Sequence, residues 1–177
     1  MPWDEPGATA LVVPVPEAER AIGHFYREQT AAGREGMPPH ITLLAPFVPA
    51  PRLDDAIEDR LRRVLALHAS FDYWLDRAER FAGGVLYLAP QPSLHFVELT
   101  EALVAEFPDN PPYEGQHEEV IPHATVAVSY DRRLLDRIAH ELEPKLPIAC
   151  RAASAELVER RADGRWSLRR SYPLGLE

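Results

Sequence analysis

The chain has 177 residues, of which 46% are hydrophobic and 27% are charged, and its formal net charge at pH 7 is −9. This length predicts one domain, or two small lobes that share a core. The acidic balance argues against extensive binding to long nucleic acid, which needs many Lys and Arg side chains to displace counterions. No apolar run approaches the ~20 residues that a membrane-spanning helix needs, and we therefore expect no membrane partner.

The start of the chain and its cysteine content favour the cytoplasm. Residues 1–6 have neither the basic start nor the apolar stretch that is typical of a signal peptide. The single cysteine, Cys150, cannot form a disulfide within the chain, which favours a reducing compartment. Its apolar, strand-like context indicates a buried structural thiol and not a nucleophile. We expect a cytoplasmic protein that is a monomer.

The first half of the chain predicts alternating strands and helices. Its elements are, in order, a strand over 10–15, a helix over 17–32 closed by Gly33, a strand over 40–47, a helix over 53–68 and an extended segment over 71–81. The helix over 53–68 is amphipathic, because Leu53, Ile57 and Leu61 recur at helical spacing.

The same order then begins again in the second half. The elements there are a strand over 85–89, a helix over 93–107, a strand over 123–129, a helix over 134–146, and two strands over 148–159 and 165–172 joined by the hairpin turn Ala162-Asp163-Gly164. A unit of about 80 residues that occurs only twice indicates duplicated lobes and not a solenoid. We predict an α+β, bilobed duplicated fold, in which two antiparallel sheets flanked by helices form a central cleft. The chain, 1–177, is then a single domain with approximate repeats over 8–82 and 84–172.

Each half contains one His-x-Thr-apolar tetrapeptide within a predicted strand. The two tetrapeptides, 83 residues apart, are His40-Ile41-Thr42-Leu43 and His123-Ala124-Thr125-Val126. Side chains alternate between the faces of a strand, so His40 projects with Thr42, and His123 projects with Thr125. If the two strands face each other, one cleft receives two imidazoles and two hydroxyls. Such a set can bind a phosphodiester and move its protons without a metal ion.

The two motifs and their flanks resemble those of the 2H phosphoesterase superfamily, which includes the 2′-5′ RNA ligase-like proteins and cyclic nucleotide phosphodiesterases. The segments that carry the resemblance are PPHITLLAPF over 38–47, GVLYLAP over 84–90 and IPHATVA over 121–127. The resemblance covers nearly the whole chain and implies a bilobed fold of two antiparallel sheets with helices outside. It also implies that His40 and His123 are catalytic and that Thr42 and Thr125 bind the substrate phosphate.

The function that we expect is metal-independent hydrolysis of a phosphodiester on a small nucleotide, often a cyclic one, or on a related phosphodiester. One imidazole would act as base and the other as acid, and their assignment stays open. The reaction could be reversible, as in a 2′-5′ RNA ligase, and an RNA end is then a further partner. The alternatives are an RNA-end processing enzyme or a nucleotide-binding module without turnover.

Other residues that could contribute chemistry have ordinary interpretations. We predict no metal site and no cofactor, because the sequence lacks H-E-x-x-H, H-x-H and Cys/His clusters. His117 precedes the second motif and could cover the cleft. A solvated face or a phosphate-steering patch could be formed by the arginines near the C-terminal hairpin, which are Arg160, Arg161, Arg165, Arg169 and Arg170. The aromatic residues that could stack on a base, although each is more often part of a core, are Phe47, Tyr87, Tyr130 and Trp166.

Overall fold

The computed structural model describes residues 5–115 and 120–175. The strands in these ranges are β1 (Thr9–Pro14), β2 (His40–Leu44), β3 (Phe71–Phe81), β4 (Val85–Gln91), β5 (Ala124–Val128), β6 (Ile148–Ala152), β7 (Ser154–Arg160) and β8 (Trp166–Pro173). The α-helices are α1 (Glu19–Gln29), α2 (Ala31–Arg34), α3 (Asp55–Ala66), α4 (Leu94–Glu106) and α5 (Arg132–Leu142). Among these helices of the described ranges, none is long and apolar enough to cross a membrane.

The described strands form one antiparallel sheet of eight strands in the order β6-β3-β4-β5-β2-β1-β7-β8. Two four-stranded halves meet at β2 and β5, where the paired residues are Ile41 and Ala124. The expectation of two separate antiparallel sheets is therefore wrong, because the motif strands hydrogen-bond to each other. This pairing gives partners to backbone groups that two separate sheet edges would leave exposed.

The sheet must curl back on itself, because strands from its two ends are neighbours in the chain. Only Ala153 separates β6 from β7, although β6 is the first strand of the sheet and β7 the seventh. A single residue spans only a few ångströms, so the edge at β6 must approach β7. The strand predicted over 148–159 is accordingly two strands, which pair with β3 and β1 respectively.

The two halves of the sheet are not the two halves of the chain. The last strand of the first half of the chain, β3, pairs with β4 and β6. The last two strands of the chain, β7 and β8, lie beside β1. The half of the sheet that contains β5 thus takes β3 from the first half of the chain, and the half that contains β2 takes β7 and β8 from the second half.

The main core lies between the helices and one face of the sheet, and the motif side chains lie on the other face. Helix α1 packs on β5 and α4 packs on β2, so each crosses to the opposite half of the sheet. The main core between the helices and the sheet includes Ile22, Ile41, Leu61, Leu86, Phe96, Val126 and Ile138. Cys150 on β6 belongs to this core and is a free, buried cysteine, which confirms its predicted burial.

The helix predicted over 17–32 is interrupted at Thr30. Thr30 has an extended backbone, and its hydroxyl accepts a hydrogen bond from the Gly33 N–H at 2.9 Å. A threonine that caps the next turn in this way competes with continuation of the preceding helix. The short helix α2 follows, and the chain then turns towards β2.

Candidate active site

The motif strands β2 and β5 have one buried face and one partly exposed face. Ile41 and Leu43 are buried in the core, whereas His40 and Thr42 are partly exposed on the opposite face. The second motif repeats the pattern, since His123 and Thr125 are partly exposed while their apolar neighbours are buried. This division follows from the period of two along a strand.

The pairing of β2 with β5 brings the two motifs together. In an antiparallel ladder that pairs Ile41 with Ala124, the next positions on either side are also opposite each other. His40 is therefore opposite Thr125, and Thr42 is opposite His123. All four side chains lie on one face of the sheet, and the two imidazoles are close enough for the charge of His123 to lower the pKa of His40.

The two histidines are held by the same local hydrogen bond. Nδ1 of His40 lies 2.9 Å from the carbonyl oxygen of Pro38, and Nδ1 of His123 lies 2.7 Å from the carbonyl oxygen of Ile121. A carbonyl can only accept, so each Nδ1 donates. In the neutral tautomer that results, Nε2 is the unprotonated nitrogen and can accept a proton.

A proline explains why both rings make this contact. Pro39 precedes His40 and Pro122 precedes His123. Proline restricts its own φ and holds the residue before it in an extended conformation. The carbonyl two positions before each histidine is thereby directed at the ring and orients the imidazole.

Desolvation favours the neutral form of both imidazoles in the free protein. Desolvation lowers the pKa of His40 to about 4, against the opposing effect of the hydrogen bond to Pro38. Desolvation also lowers the pKa of His123, against the hydrogen bond to Ile121. An anion beside these rings would favour their protonated forms.

A chain of polar contacts lies beside His123. The Tyr87 ring is 5.5 Å from the His123 ring between centroids, and the Tyr87 hydroxyl donates to Oε2 of Glu79 at 2.9 Å. Arg77 donates to the other oxygen of Glu79 and forms an ion pair with it. The hydrogen bonds from Arg77 and Tyr87 lower the pKa of Glu79. The row from Thr125 through Tyr87 to Glu79 crosses three strands of the same sheet face.

The two halves of this face are covered differently. Near His40, the edge of the Tyr26 ring approaches the imidazole, and Tyr26 and Met37 pack with residues of β1 and β7 in a second small apolar cluster. That cluster fills the space over the first half. Near His123, the corresponding space is an open cleft of about 550 Å³.

The cleft beside His123 is mainly apolar. Its described lining residues are Phe81, Ala82, Gly83, Val85, Tyr113, Val120, Ile121, His123, Thr125 and Val128. No Lys or Arg is among these described residues. Phe81 contacts His123 edge-on at 5.0 Å between ring centroids and stacks on Tyr87, so an aromatic wall adjoins the imidazole.

Tyr113 connects this cleft with the first motif. It lines the cleft that contains His123 and Thr125, and its hydroxyl forms a hydrogen bond with Thr42. Sequence reasoning missed Tyr113, Glu79 and Phe81 as site residues. Only the position of Tyr113, in the loop before the second motif, could have indicated its role, because the other two reach the site through strand pairing.

The remaining candidate residues are distributed over the molecule. Phe47 lies in the main core and Trp166 packs against the second cluster, whereas Tyr130 is 91% exposed. Several of the C-terminal arginines form ion pairs: Arg160 with Glu35, Arg169 with Glu58 and Glu159, and Arg170 with Glu58. His117 lies outside the described residues. Within the described ranges there is no group of three or more His, Cys, Asp or Glu side chains that could hold a metal ion.

The fold is α+β, with helices packed against a curled antiparallel sheet. Its two His-x-Thr strands pair at the centre of the sheet, which defines a protein with a paired-histidine site. The chain belongs to the 2′-5′ RNA ligase superfamily, whose family model matches residues 14–164. This confirms the resemblance to the 2H phosphoesterases. No curated protein is similar enough in sequence to be matched with the chain.

Solved structures of the same fold cover nearly the whole chain. The protein TT0787 of Thermus thermophilus is 19% identical, with a TM-score of 0.66 over 96% of this chain and 100% of that chain. Escherichia coli LigT complexed with 3′-AMP is 15% identical, with a TM-score of 0.62 over 97% of this chain and 100% of LigT. A crystal structure described as a phosphoesterase is 18% identical, with a TM-score of 0.58 over 97% of this chain and 100% of that one.

Proposed function

We propose that the protein is a phosphoric diester hydrolase that cleaves a phosphodiester of a small nucleotide, such as a 2′,3′-cyclic phosphate, with His40 and His123 as the acid–base pair. The observation that carries this proposal is the register of β2 and β5. It sets each motif histidine opposite the threonine of the other motif, on one face of the sheet. A phosphate group between them would contact two imidazoles and two hydroxyls.

The proposed reaction adds water across one P–O bond. One neutral imidazole accepts a proton at Nε2 from water while the water oxygen bonds to phosphorus. The other imidazole, protonated at Nε2, donates its proton to the ribose oxygen as the P–O bond to that oxygen breaks. The two rings exchange protonation states in each turnover, and proton exchange with solvent restores them.

The threonine hydroxyls supply the remaining stabilisation. Thr42 and Thr125 each have one O–H donor for the non-bridging phosphate oxygens, on which negative charge increases. One donor of this kind in a desolvated site contributes about 3 kcal/mol to lowering the barrier. The donors are neutral, which suits a phosphodiester with a single negative charge better than a polyphosphate.

The shape of the cleft supports a nucleotide substrate. A volume of about 550 Å³ beside His123 is within the range of sites that hold a small organic ligand. The apolar wall that includes Phe81 offers a surface on which a base can stack. The similarity in fold to LigT, which was crystallised with 3′-AMP, agrees with a small nucleotide as ligand.

The test is turnover of 2′,3′-cyclic AMP by the purified protein in EDTA. Each of the variants His40→Gln and His123→Gln should lose a factor of roughly 10²–10⁴ in kcat/KM, and the exposed His140→Gln is the matched control. Full activity in the double variant His40→Gln/His123→Gln would overturn the proposal. Binding of 3′-AMP by calorimetry without turnover of any phosphodiester would favour the nucleotide-binding module. Joining of RNA ends, tested with RNA under the same conditions, would favour the ligase.

A further inference from the structure

The turn Pro112–Gly115 connects the two halves of the candidate site. The N–H of Tyr113 donates to the carbonyl oxygen of Ala45 at 2.7 Å, directly after β2 in the first half. The Tyr113 side chain lines the cleft that contains His123 and Thr125 and forms a hydrogen bond with Thr42. One residue therefore contacts the first motif and borders the second.

The backbone at this turn is unfavourable for the residues that occupy it. Tyr113 and Glu114 have φ values of +49° and +56°, in the left-handed region. Gly and Asn adopt this conformation at far lower energetic cost than a residue with a bulky side chain. Two consecutive side-chain-bearing residues in this region are typical of functional sites, where surrounding contacts maintain the strain. The turn itself does not require a tyrosine, and the side chain is the part of Tyr113 that lines the cleft.

The phenol of Tyr113 has a defined use next to Thr42. A threonine hydroxyl has one hydrogen and two lone pairs. The contact with Thr42 opposes the rise in the pKa of Tyr113, which is the effect of Thr42 donating to the phenol oxygen in the free protein. Both hydroxyls can rotate, and when the phenol donates to the Thr42 oxygen instead, the single hydrogen of Thr42 can point at a bound phosphate oxygen. Burial raises the pKa of Tyr113, so the phenol retains its own hydrogen at neutral pH. In the other half, the phenol of Tyr87 donates to Glu79 and not to Thr125.

We infer that Tyr113 is a positioning residue that orients the hydroxyl of Thr42 towards the substrate phosphate and forms the side wall of the cleft. This inference rests on the proposed function, since it assigns a further residue to the same phosphate site. Tyr113 acts through Thr42, and its contribution therefore depends on the presence of the Thr42 hydroxyl.

The experiment is a double-mutant cycle with Tyr113→Phe, Thr42→Ala and the combined variant, assayed with 2′,3′-cyclic AMP. Tyr113→Phe removes one hydroxyl and should lower kcat about 3- to 10-fold, as expected for one lost hydrogen bond, while KM changes less than twofold. In the Thr42→Ala background the same substitution should change kcat less than twofold. The control is Tyr130→Phe, because Tyr130 is 91% exposed, and it should equal the wild type.

Three results would overturn the inference. They are an unchanged kcat in Tyr113→Phe, an equal loss with and without the Thr42 hydroxyl, and an equal loss in Tyr130→Phe. If the wild type turns over no phosphodiester, the proposed hydrolase fails, and the same cycle is measured as 3′-AMP affinity by calorimetry. A loss of affinity in Tyr113→Phe that disappears in the Thr42→Ala background would then support the role of Tyr113. Absence of both turnover and 3′-AMP binding would overturn both proposals.

Discussion

Ile41 and Ala124 lie directly opposite each other at the junction of β2 and β5, and this pair joins the two halves of the sheet. Both side chains are fully buried. Because alternate residues of a strand share a face, burial of this pair on the core side directs His40, Thr42, His123 and Thr125 to the other side. A register shift of one residue would move the motif side chains into the core.

We therefore expect Ile41→Ala to destabilise the protein and to impair the site. Removal of this buried side chain should lower the free energy of unfolding by about 2–5 kcal/mol, measured by urea unfolding. Leu168→Ala is the control, because Leu168 is a strand residue that is 56% exposed, and its effect should stay within about 0.5 kcal/mol. Equal effects of the two substitutions would show that the junction contributes no more than the surface.

Two adjacent glycines beside the cleft should respond differently to substitution. A Cβ atom on Gly84 would lie 2.4 Å from the carbonyl oxygen of Ser129, and Gly84 has a φ of +78°, whereas a Cβ on Gly83 would meet nothing within 4 Å. We expect Gly84→Ala to lower the free energy of unfolding by about 1–3 kcal/mol, because backbone strain and a steric clash with the backbone both contribute. Gly83→Ala should change it by less than ~0.5 kcal/mol. Comparable urea midpoints for the two variants would contradict this assignment.

Local patterns in the sequence predict most of the elements, because hydrophobic periodicity is a property of neighbouring residues. The extended segment over 71–81 coincides with β3, and the predicted bounds of the other main helices and strands differ from those observed mainly by a few residues at the ends. The period of two likewise places each motif histidine on the same strand face as its threonine. Strand pairing, by contrast, joins residues that are distant in the chain.

The failures of the sequence-based predictions all concern pairing or single hydrogen bonds. The run over 148–159 has one continuous apolar pattern, and nothing in it reveals that the chain leaves one edge of the sheet at Ala153. Glu79 and Phe81 reach the site only because β3 pairs with β4. The interpretation of the chain as a repeat over 8–82 and 84–172, with roles for the two histidines and two threonines, stays a prediction.

The desolvated imidazole of His40 should make the stability of the protein depend on pH. An unfolded histidine takes up a proton near pH 6.5, whereas His40 in the folded protein does so at about pH 4. Between these values the unfolded state binds more protons, so the free energy of unfolding falls as the pH falls. Between pH 7 and pH 5, the free energy of unfolding should fall by about 1 kcal/mol less in His40→Gln than in the wild type. This figure allows for solvent screening at a partly exposed ring. An unchanged slope in His40→Gln would contradict the low pKa of His40.

The hydrogen bond from Tyr87 to Glu79 should support the site beside His123. Tyr87→Phe keeps the ring that contacts His123 but removes the donor to Glu79. We expect a loss of about 1 kcal/mol in stability and a two- to tenfold loss in kcat/KM. Tyr172→Phe is the matched control: Tyr172 is also buried, and its hydroxyl has no hydrogen-bond partner among the described residues. Removal of the Tyr172 hydroxyl should not change the stability. A loss of stability equal to that of Tyr87→Phe would show that the hydrogen bond to Glu79 does not stabilise the protein.

An anion in the cleft should raise the pKa of the imidazoles that desolvation lowers in the free protein. The negative charge of a phosphate favours the imidazolium, while the positive charge of one ring opposes protonation of the other. Addition of 3′-AMP should therefore move the NMR titration of His40 or His123 upwards from the low value in the free protein, with one proton shared between the rings near neutral pH. The NMR signals of the exposed His140 should not change when 3′-AMP is added. If the nucleotide binds while neither motif histidine shifts, the phosphate lies elsewhere. The strand face that His40 shares with Thr125 would then not be the phosphate site.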